Sequence, residues 1–272
     1  MNFMDKERIL APLTGDDRLL AARLLDQVEM AVKKAAPVAT DFLDPREREL
    51  CNEILHYLPE AKALSFGGYR GAERQRMVII PAFYLAEAVE PPLVYLAIRP
   101  AAGGGKALPD GREALFTHRD VLGSILGLGL KRGKIGDLLM AAEEAQAVVA
   151  EEVGDFILTN LTKVGSLNVV VVAIDPEQLN TPVERVKEIK STVASLRLDA
   201  VASLGYGVSR SRMAREIKMA KVKVNWHLVT DPDYKVAAGD VLSIRGRGRV
   251  VVAEVGGETK KGRLVVTLKR FL

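Results

Sequence analysis

The spacing of apolar residues changes along the chain and separates it into three regions. Over residues 1–63 apolar side chains recur every three or four positions, which is the period of a helix with one buried face. One helix is predicted to begin at Asp16 or Asp17 and another at Asp44-Pro45, where Asp suits the N-cap and Pro the first turn. Their apolar positions are Leu19, Leu20, Ala22, Leu24, Leu25 and Val28 in the first helix, and Leu50, Ile54 and Leu58 in the second. These residues are therefore predicted to form an N-terminal helical module.

Over residues 64–182 short apolar runs alternate with helical stretches. The predicted elements, in chain order, are a strand at Leu93–Ile98, a helix at His118–Gly127, strands at Asp137–Met140 and Ala145–Val149, a helix at Val153–Lys163 and a strand at Leu167–Ile174. This β-α-β-β-α-β order is the split βαβ (ferredoxin-like) arrangement, which single-strand RNA-recognition domains (RRMs) also use. RRMs stack bases on aromatic side chains of their central strands, and here those strands supply only Tyr95. We therefore predict an RRM-like middle domain that contacts a partner through other surfaces.

Residues 183–272 are predicted to form a third domain, in which two short helices precede several strands. Apolar positions spaced by three predict a first helix that ends at Gly205 in a left-handed cap. These positions are Leu198, Val201 and Leu204. Ser209 is predicted to cap the second helix. Its core-side positions are Met213, Ile217 and Ala220, and its opposite arc carries Arg212, Arg215 and Lys218. Alternation over residues 221–225 and the apolar run Val241–Ile244 predict strands, so the fold class of the whole chain is predicted to be α+β.

Positive charge is concentrated in this third domain. The whole chain has 39 Lys and Arg against 35 Asp and Glu, a net charge of +4. Residues 196–249 carry 11 basic and 5 acidic side chains, whereas the rest of the chain carries 28 and 30. Such a local basic patch suits the phosphate backbone of a nucleic acid. Its stacking planes are Tyr206 and Trp226, so we expect binding to depend on backbone charge and shape more than on base reading.

An ordered set of residues runs through the same patch. The set is Arg197-Leu198-Asp199, Gly205, Ser209-Arg210, Ile217, Val222-Lys223-Val224-Asn225, Gly239-Asp240 and Arg245-Gly246. It resembles the S4 (S-four) RNA-binding domain, although Ala220 and Trp226 stand where that family usually has glycine. A solvated basic helix face is common on any protein, and it is the ordered motif that favours RNA binding over that interpretation. The RNA contacts predicted from charge and resemblance together are Arg197, Ser209, Arg210, Arg212, Arg215, Lys218, Lys221, Lys223, Asn225, Arg245 and Arg247.

Two runs in the middle domain carry a second resemblance. They are Phe66-Gly67-Gly68-Tyr69-Arg70-Gly71-Ala72-Glu73-Arg74, and His118 to Arg132 followed by Ile135-Gly136-Asp137. Together with the S4 motif they resemble YlmH-type bacterial proteins over about residues 40–272, and a related cyanobacterial and plastid group is similar at the same positions. The resemblance implies a factor that binds structured rRNA and tRNA and associates with the large ribosomal subunit. Such proteins are linked to rescue of stalled subunits that hold peptidyl-tRNA (ribosome quality control) and, earlier, to cell division.

The second run has a physical interpretation of its own. Gly123, Gly127 and Gly129 allow close backbone approach or a sharp helix end, and cations follow in the next loop. Backbone N–H groups and cations together can hold a phosphate. The loop is therefore a possible secondary RNA contact, through Lys131, Arg132 and Lys134. The alternative is that the glycines serve tight helix-on-sheet packing and that the loop is only solvated.

Composition limits the other function classes. No apolar run approaches the roughly 20 residues that cross a bilayer, and the N-terminus lacks a signal-peptide pattern, so a cytoplasmic location is expected. The single cysteine, Cys51, lies in a helical apolar pattern and is predicted to be a buried structural thiol. With 3 histidines and 1 cysteine, neither a metal site nor Cys-His catalysis is expected, and no cofactor is predicted.

Three short patterns also match enzymes. His118-Arg119-Asp120 matches a kinase catalytic loop, but Ile125 stands where the metal-binding Asn is required. Arg197-Leu198-Asp199 resembles the catalytic motif of pseudouridine synthases, although here it lies within the S4 domain itself. A methyltransferase needs a glycine-rich turn after a strand, whereas the strand ending at Asp175 runs into proline. We therefore predict a non-catalytic RNA-binding factor, with an RNA-modifying enzyme that uses the middle domain as the alternative.

Overall fold

The computed structural model describes residues 3–101, 106–107, 113–114, 117–141, 143–182, 186–244, 246–260 and 262–271. The chain is α+β, as predicted. It divides into two compact units, residues 1–182 and residues 183–272, each with its own core. Across the described ranges, no helix is both long and apolar enough to cross a membrane.

The first part of the first unit packs helices on a small sheet. Its elements are α1 (Phe3–Leu10), α2 (Gly15–Lys34), β1 (Val38–Leu43), α3 (Pro45–His56), β2 (Ala61–Phe66) and β3 (Gln75–Pro81). The strands pair antiparallel in the order β1-β3-β2. The predicted helices are present, and α3 begins with Pro45 after a capping box in which Asp44 Oδ1 accepts from the Glu47 backbone N–H at 2.8 Å. The helical period of residues 1–63 did not predict the strands β1 and β2. Their sheet also includes β3, which lies in the region predicted as the middle domain.

Cys51 lies in the core between these helices and the sheet. Its side chain is completely buried, beside Leu25 and Ile54 in the same apolar cluster. Burial raises the pKa of the thiol to about 12, with a smaller contribution from Glu47. The thiol therefore stays protonated at neutral pH, and the prediction of a buried structural cysteine is confirmed.

The second part of the first unit has the predicted β-α-β-β-α-β order. Its elements are β4 (Leu93–Pro100), β5 (Lys106–Ala107), β6 (Glu113–Ala114), α4 (His118–Gly127), β7 (Ile135–Met140), β8 (Ala145–Ala150), α5 (Glu151–Asn160), β9 (Lys163–Val164) and β10 (Leu167–Ile174). The main sheet is antiparallel with the order β7-β8-β4-β10-β9. Apart from the added edge strand β9, this is the strand order of the split βαβ fold. The second helix begins at Glu151 and ends at Asn160, somewhat earlier than its apolar pattern predicts.

The second unit places two helices against a six-stranded antiparallel sheet. Its elements are β11 (Val186–Val193), α6 (Leu198–Tyr206), α7 (Arg210–Lys218), β12 (Val222–Val224), β13 (His227–Leu228), β14 (Val241–Ile244), β15 (Gly248–Glu258) and β16 (Leu264–Phe271). The strand order is β11-β16-β15-β14-β12-β13. The two helices are joined by a short turn, and their apolar sides form the core together with Val250, Val252 and Leu268.

Two local predictions in this unit are wrong. Gly207, and not Gly205, is the left-handed cap of α6, with φ 66°. Gly205 is instead buried against β15, where an added Cβ would lie 2.7 Å from Val250 Cγ1, so its small size serves close packing. Ala220 does not face the core, because α7 ends at Lys218 and Ala220 is exposed with φ 57°.

Candidate nucleic-acid interface

Helix α7 has one buried side and one cationic side. Its N-cap is Ser209, whose Oγ accepts from the Arg212 backbone N–H at 3.3 Å. Met213 and Ile217 are fully buried in the core. Because these two residues fix the rotation of the helix, Arg212 and Arg215 are turned outward and lie exposed on the other side.

A buried carboxylate, Asp199, holds two of the predicted contact residues. Arg197 donates to it through Nε and Nη2 at 3.1 and 3.0 Å, and Arg210 donates through the same pair of atoms at 3.0 and 3.2 Å. Burial disfavours the charged form, but these hydrogen bonds outweigh it and hold the pKa of Asp199 below its usual value. Arg197 also pairs with Asp233. The two arginines are therefore fixed in position, and part of their charge is compensated.

The same arrangement leaves Asp199 poorly placed for the catalytic role that the Arg197-Leu198-Asp199 pattern suggests. Asp199 has only 4% of its surface exposed, and both of its carboxylate oxygens already accept from guanidinium groups. A catalytic carboxylate must reach its substrate within hydrogen-bond distance. Asp120 of the kinase-like run is also occupied, since its Oδ2 accepts from the Thr117 backbone N–H at 2.9 Å in the capping box of α4.

A second carboxylate, Glu216, holds a further pair of arginines. Its Oε1 accepts from Arg212 Nε at 3.2 Å and from Arg247 Nη2 at 2.9 Å. Burial opposes the charged form of Glu216, yet the two arginines keep the pKa of its carboxyl below the usual value. The guanidinium of Arg212 remains largely exposed, with 57% of its side chain accessible. Arg247 is more enclosed.

Four predicted contact residues carry charge that no described carboxylate balances. All four are exposed, and among the described residues none of their side chains takes part in an ion pair or hydrogen bond. We call this set the free cation strip; it consists of Arg215 and Lys218 on α7 and Lys221 and Lys223 at β12. Arg245, also predicted as a contact, lies outside the described residues. Among the predicted contacts that the structure describes, the strip therefore carries the uncompensated positive charge.

Asn225 has a structural position at the edge of this strip. Its side chain donates from Nδ2 to Asp240 Oδ1 at 2.9 Å and accepts from the Val241 backbone N–H at 2.8 Å. With Trp226 it forms the two-residue turn between β12 and β13, in which both residues have positive φ, 47° and 62°. This is the backbone of a type I′ hairpin turn. The left-handed conformation at Ala220 and at Trp226 is thus kept without glycine.

The aromatic side chains that are exposed in the basic domain differ from those predicted as stacking planes. Tyr206 is only 4% exposed and its hydroxyl donates to Leu242 O at 2.9 Å, so its ring is not available for stacking. Tyr234, which was missed from the sequence, is 41% exposed in the loop beside Arg197. The sequence signal that favours its exposure is the polar turn around it: Asp231 and Asp233 precede Tyr234, and Lys235 follows it.

In the middle domain, the sheet face that an RRM would use is occupied by the chain itself. The loop between β2 and β3 lies so close to it that a Cβ added to Gly68 would be 2.8 Å from the ring of Tyr95 and 3.0 Å from Val148. Gln146, two positions from Val148 on the same face, accepts from the Asn180 backbone N–H at 2.6 Å. The helix α5 covers the opposite face, where Gly154 packs against Val94. A base therefore cannot stack on Tyr95 in the way an RRM requires.

Asp137 anchors that loop. Its carboxylate accepts from the Tyr69 hydroxyl at 2.8 Å and from the backbone N–H groups of Glu73 and Arg74 at 2.7 and 3.0 Å. Arg74 in turn donates to Phe42 O at 2.6 Å. The first of the two runs that resemble YlmH-type proteins is thus explained by packing inside the first unit.

The three cations of the predicted secondary contact have different surroundings. Lys134 lies between two carboxylates, 2.6 Å from Asp41 and 2.7 Å from Glu152. Arg132 is half-buried and donates to Ile135 O. Lys131 alone of the three is exposed without an ion pair in the described part of the chain.

The nearby glycines do not serve tight packing of α4 on the sheet. An added Cβ at Gly123, Gly127 or Gly129 would meet nothing within 4 Å. Gly129 has φ 88° just after the helix, which is the sharp helix end expected from its type. Close packing occurs instead at Gly136, where a Cβ would lie 2.6 Å from the Phe42 ring.

Three stretches of the chain match known family models. Residues 16–84 match the family model described as "YlmH, N-terminal", residues 112–178 match "Putative RNA-binding domain in YlmH", and residues 196–242 match "S4 domain". The ribosome-associated protein quality control protein P2 of Bacillus subtilis (strain 168) is 35% identical over 255 residues, which are 94% of this chain and 95% of that protein. A solved structure, the cell division protein ylmH from Streptococcus pneumoniae, aligns with a TM-score of 0.51 at 18% identity. It covers 62% of this chain and 97% of that one, and it bears on the fold alone.

Proposed function

This chain belongs to the YlmH family, and we propose that it is a non-catalytic RNA-binding factor that acts in the cytoplasm on structured rRNA or tRNA. Its site of action is the large ribosomal subunit, in the rescue of stalled complexes that hold peptidyl-tRNA. The free cation strip carries this proposal, because four exposed cations on one helix and the strand after it suit a phosphate backbone. The ribosome association in the name of the Bacillus subtilis relative supports the choice of target.

The two buried carboxylates support RNA binding in a second way. Asp199 and Glu216 fix arginines whose outer sides remain open, as Arg210 and Arg212 have side chains 53% and 57% exposed. Guanidinium groups held in place lose less rotamer freedom when they bind phosphate. Arg197, Arg210, Arg212 and Arg247 thus act as a fixed frame beside the free cation strip.

The alternative, an RNA-modifying enzyme, has less support. Its motif residue Asp199 is enclosed by arginines, and the sheet face of the middle domain is filled by the chain's own loop. An assay for modified nucleosides in RNA incubated with the protein separates the two proposals. A modified product that depends on Asp199 would favour the enzyme.

Sedimentation with ribosomal particles tests the proposed target. In a sucrose gradient at low salt, the tagged full chain is expected to migrate with large subunits, and most strongly with those that hold peptidyl-tRNA. Crosslinking followed by sequencing should map the contact to structured rRNA or tRNA. If the protein stays at the top of the gradient while it still binds an RNA hairpin, RNA binding holds but the ribosomal target is wrong.

The middle domain is proposed as a secondary contact that acts through Lys131. We expect Lys131→Glu to lower association with ribosomal particles severalfold while affinity for an isolated hairpin stays near that of the unmodified chain, because a single phosphate contact contributes about 1–2 kcal/mol. Lys134→Glu is unsuitable for this test, since it would place a third carboxylate beside Asp41 and Glu152. Unchanged association of Lys131→Glu would show that this loop is only solvated. Arg119→Glu, at an exposed position of the preceding helix α4, is the matched control.

A further inference from the structure

Trp226 occupies a backbone position that does not suit it. It is the second residue of the type I′ turn between β12 and β13, with φ 62°. Residues with a Cβ rarely adopt this conformation, and glycine is strongly preferred at this position of the turn. Trp226 is also the one tryptophan among 272 residues. A strained position that keeps a large aromatic side chain is a reason to look for a function.

Packing on the apolar core does not account for the indole. Partly buried residues such as Val229 and Leu204 pack against the apolar cluster of the second unit. Among the described residues, Trp226 belongs neither to the cluster nor to the residues packed against it. The turn does not need a large side chain either, because Asn225 already fixes it through the side-chain bonds to Asp240 and Val241. Trp226 is partly buried on this rigid hairpin, outside the apolar cluster, so part of its surface remains open to solvent.

The surroundings of the hairpin are those of the free cation strip. Strand β12, which leads directly into the turn, carries the exposed Lys223, and Lys221 precedes the strand. On the return strand β13, His227 is exposed. An aromatic plane next to a line of cations is the combination that holds single-stranded nucleic acid, since the cations bind phosphates and the ring stacks on a base.

We propose that Trp226 stacks on an unpaired base of the RNA whose phosphates bind the free cation strip. This inference rests on the proposed RNA-binding function and adds the kind of RNA: a helix with a bulged or flipped nucleotide. Every base has a π-face, so stacking tolerates changes of sequence. The strip and the indole together thus read the presence of an unpaired nucleotide and not its identity.

The test compares Trp226→Gly and Trp226→Phe in the full chain. The probes are an RNA hairpin with one unpaired adenosine in its stem and the same hairpin fully paired. Trp226→Gly removes the stacking plane and relieves the left-handed strain but also removes a partly buried ring, so its Tm is expected to change little. Affinity for the bulged hairpin should fall about 5- to 150-fold, the range for one lost base–aromatic stack. Trp226→Phe should keep most of the affinity. Affinity for the paired hairpin should change little in either variant.

The single indole gives an independent measurement. Its fluorescence is expected to be quenched by the bulged hairpin and much less by the paired one. If Trp226→Gly binds both hairpins as tightly as the unmodified chain, the stacking proposal is wrong, while RNA binding by the strip is unaffected. A drop in Tm with equal loss for both hairpins would give Trp226 a structural role and also overturn it. If replacement of Arg215, Lys218 and Lys223 leaves the affinity for both hairpins unchanged, the proposed function itself is overturned.

Discussion

The variant Arg215→Ala/Lys218→Ala/Lys223→Ala is expected to bind structured RNA several kcal/mol more weakly than the unmodified chain. Each of the three side chains is exposed and lacks a balancing carboxylate among the described residues. Each is therefore free to contact a phosphate, at about 1–2 kcal/mol per charge-assisted contact. Arg212 lies on the same arc but is left in place, because its removal would take a partner from the buried Glu216. The fold of the variant should be unchanged, so circular dichroism and Tm are measured alongside affinity.

Salt dependence gives the same prediction a second measurement. If about five phosphates are neutralised, the logarithm of affinity of the unmodified chain should fall with the logarithm of salt concentration at a slope of roughly 3.5 to 4.5. Loss of three contacts should reduce that slope by roughly 2 to 2.7. A hairpin of the same fold with swapped base pairs should bind almost equally. A flat salt response with a preference of about a hundredfold, near 2.7 kcal/mol, would show that base reading governs binding.

A matched control separates the strip from overall charge. Lys187, Lys260 and Lys269 are exposed on other strands and loops of the second unit, without ion pairs in the described ranges. Their replacement by alanine changes the net charge by the same amount, but affinity should remain close to that of the unmodified chain. If both triple variants lose affinity equally, the net charge of the domain decides binding and the strip has no special role.

The sequence was most informative where the signal is local. Periodicity with an adjacent cap located α3 at Asp44-Pro45 and α7 at Ser209, because both signals lie within one turn of helix. The outward arc of Arg212 and Arg215 followed from the same period. Strand β1 was missed because six residues between two helices have no distinctive period of their own.

The division of the cations into fixed and free ones could not be predicted. Charge counting treats Arg210 and Arg215 alike, yet the first pairs with Asp199, eleven positions away in the chain, and the second does not. Arg247 reaches Glu216 across 31 positions. Which carboxylate is buried depends on how α6 and α7 pack on the sheet, and that packing is a tertiary property that no sequence window contains.

The glycines show the same limit. Gly207 and Gly205 are two positions apart near the end of α6, and either suits a helix cap by its type. Only the approach of Val250 assigns Gly205 to close packing and leaves the cap to Gly207. Gly68 and Gly136 are likewise explained by distant partners, Tyr95 and Phe42.

Arg76 is expected to hold the two parts of the first unit together, so that Arg76→Met lowers the free energy of unfolding of that unit by about 3–5 kcal/mol. Its side chain is 4% exposed. The guanidinium donates from Nε to Thr40 O at 2.7 Å in the first part, and from Nη1 to Pro92 O at 2.8 Å. Its Nη1 and Nη2 reach the carboxylate of Glu152 on α5 at 2.9 and 3.0 Å. Methionine fills a similar volume but leaves these acceptors without their donor.

The effect of Arg76→Met should depend on pH. Burial works against the charged form of Glu152, but Lys134 and Arg76 outweigh it and lower the pKa of the carboxyl from 4.5 to about 2. A lowered pKa in the folded state means that the stabilisation is present above about pH 4.5 and is lost as the pH falls towards 2. The difference in free energy of unfolding between the unmodified chain and Arg76→Met should therefore be larger at pH 7 than at pH 3.

Hydrogen exchange of peptides from residues 3–101 and 117–182 measures this free energy of unfolding within the first unit alone. The exposed Arg23, replaced by methionine, should show no such difference at either pH, and an equal loss in both variants would mean that the buried pair does not join the two parts.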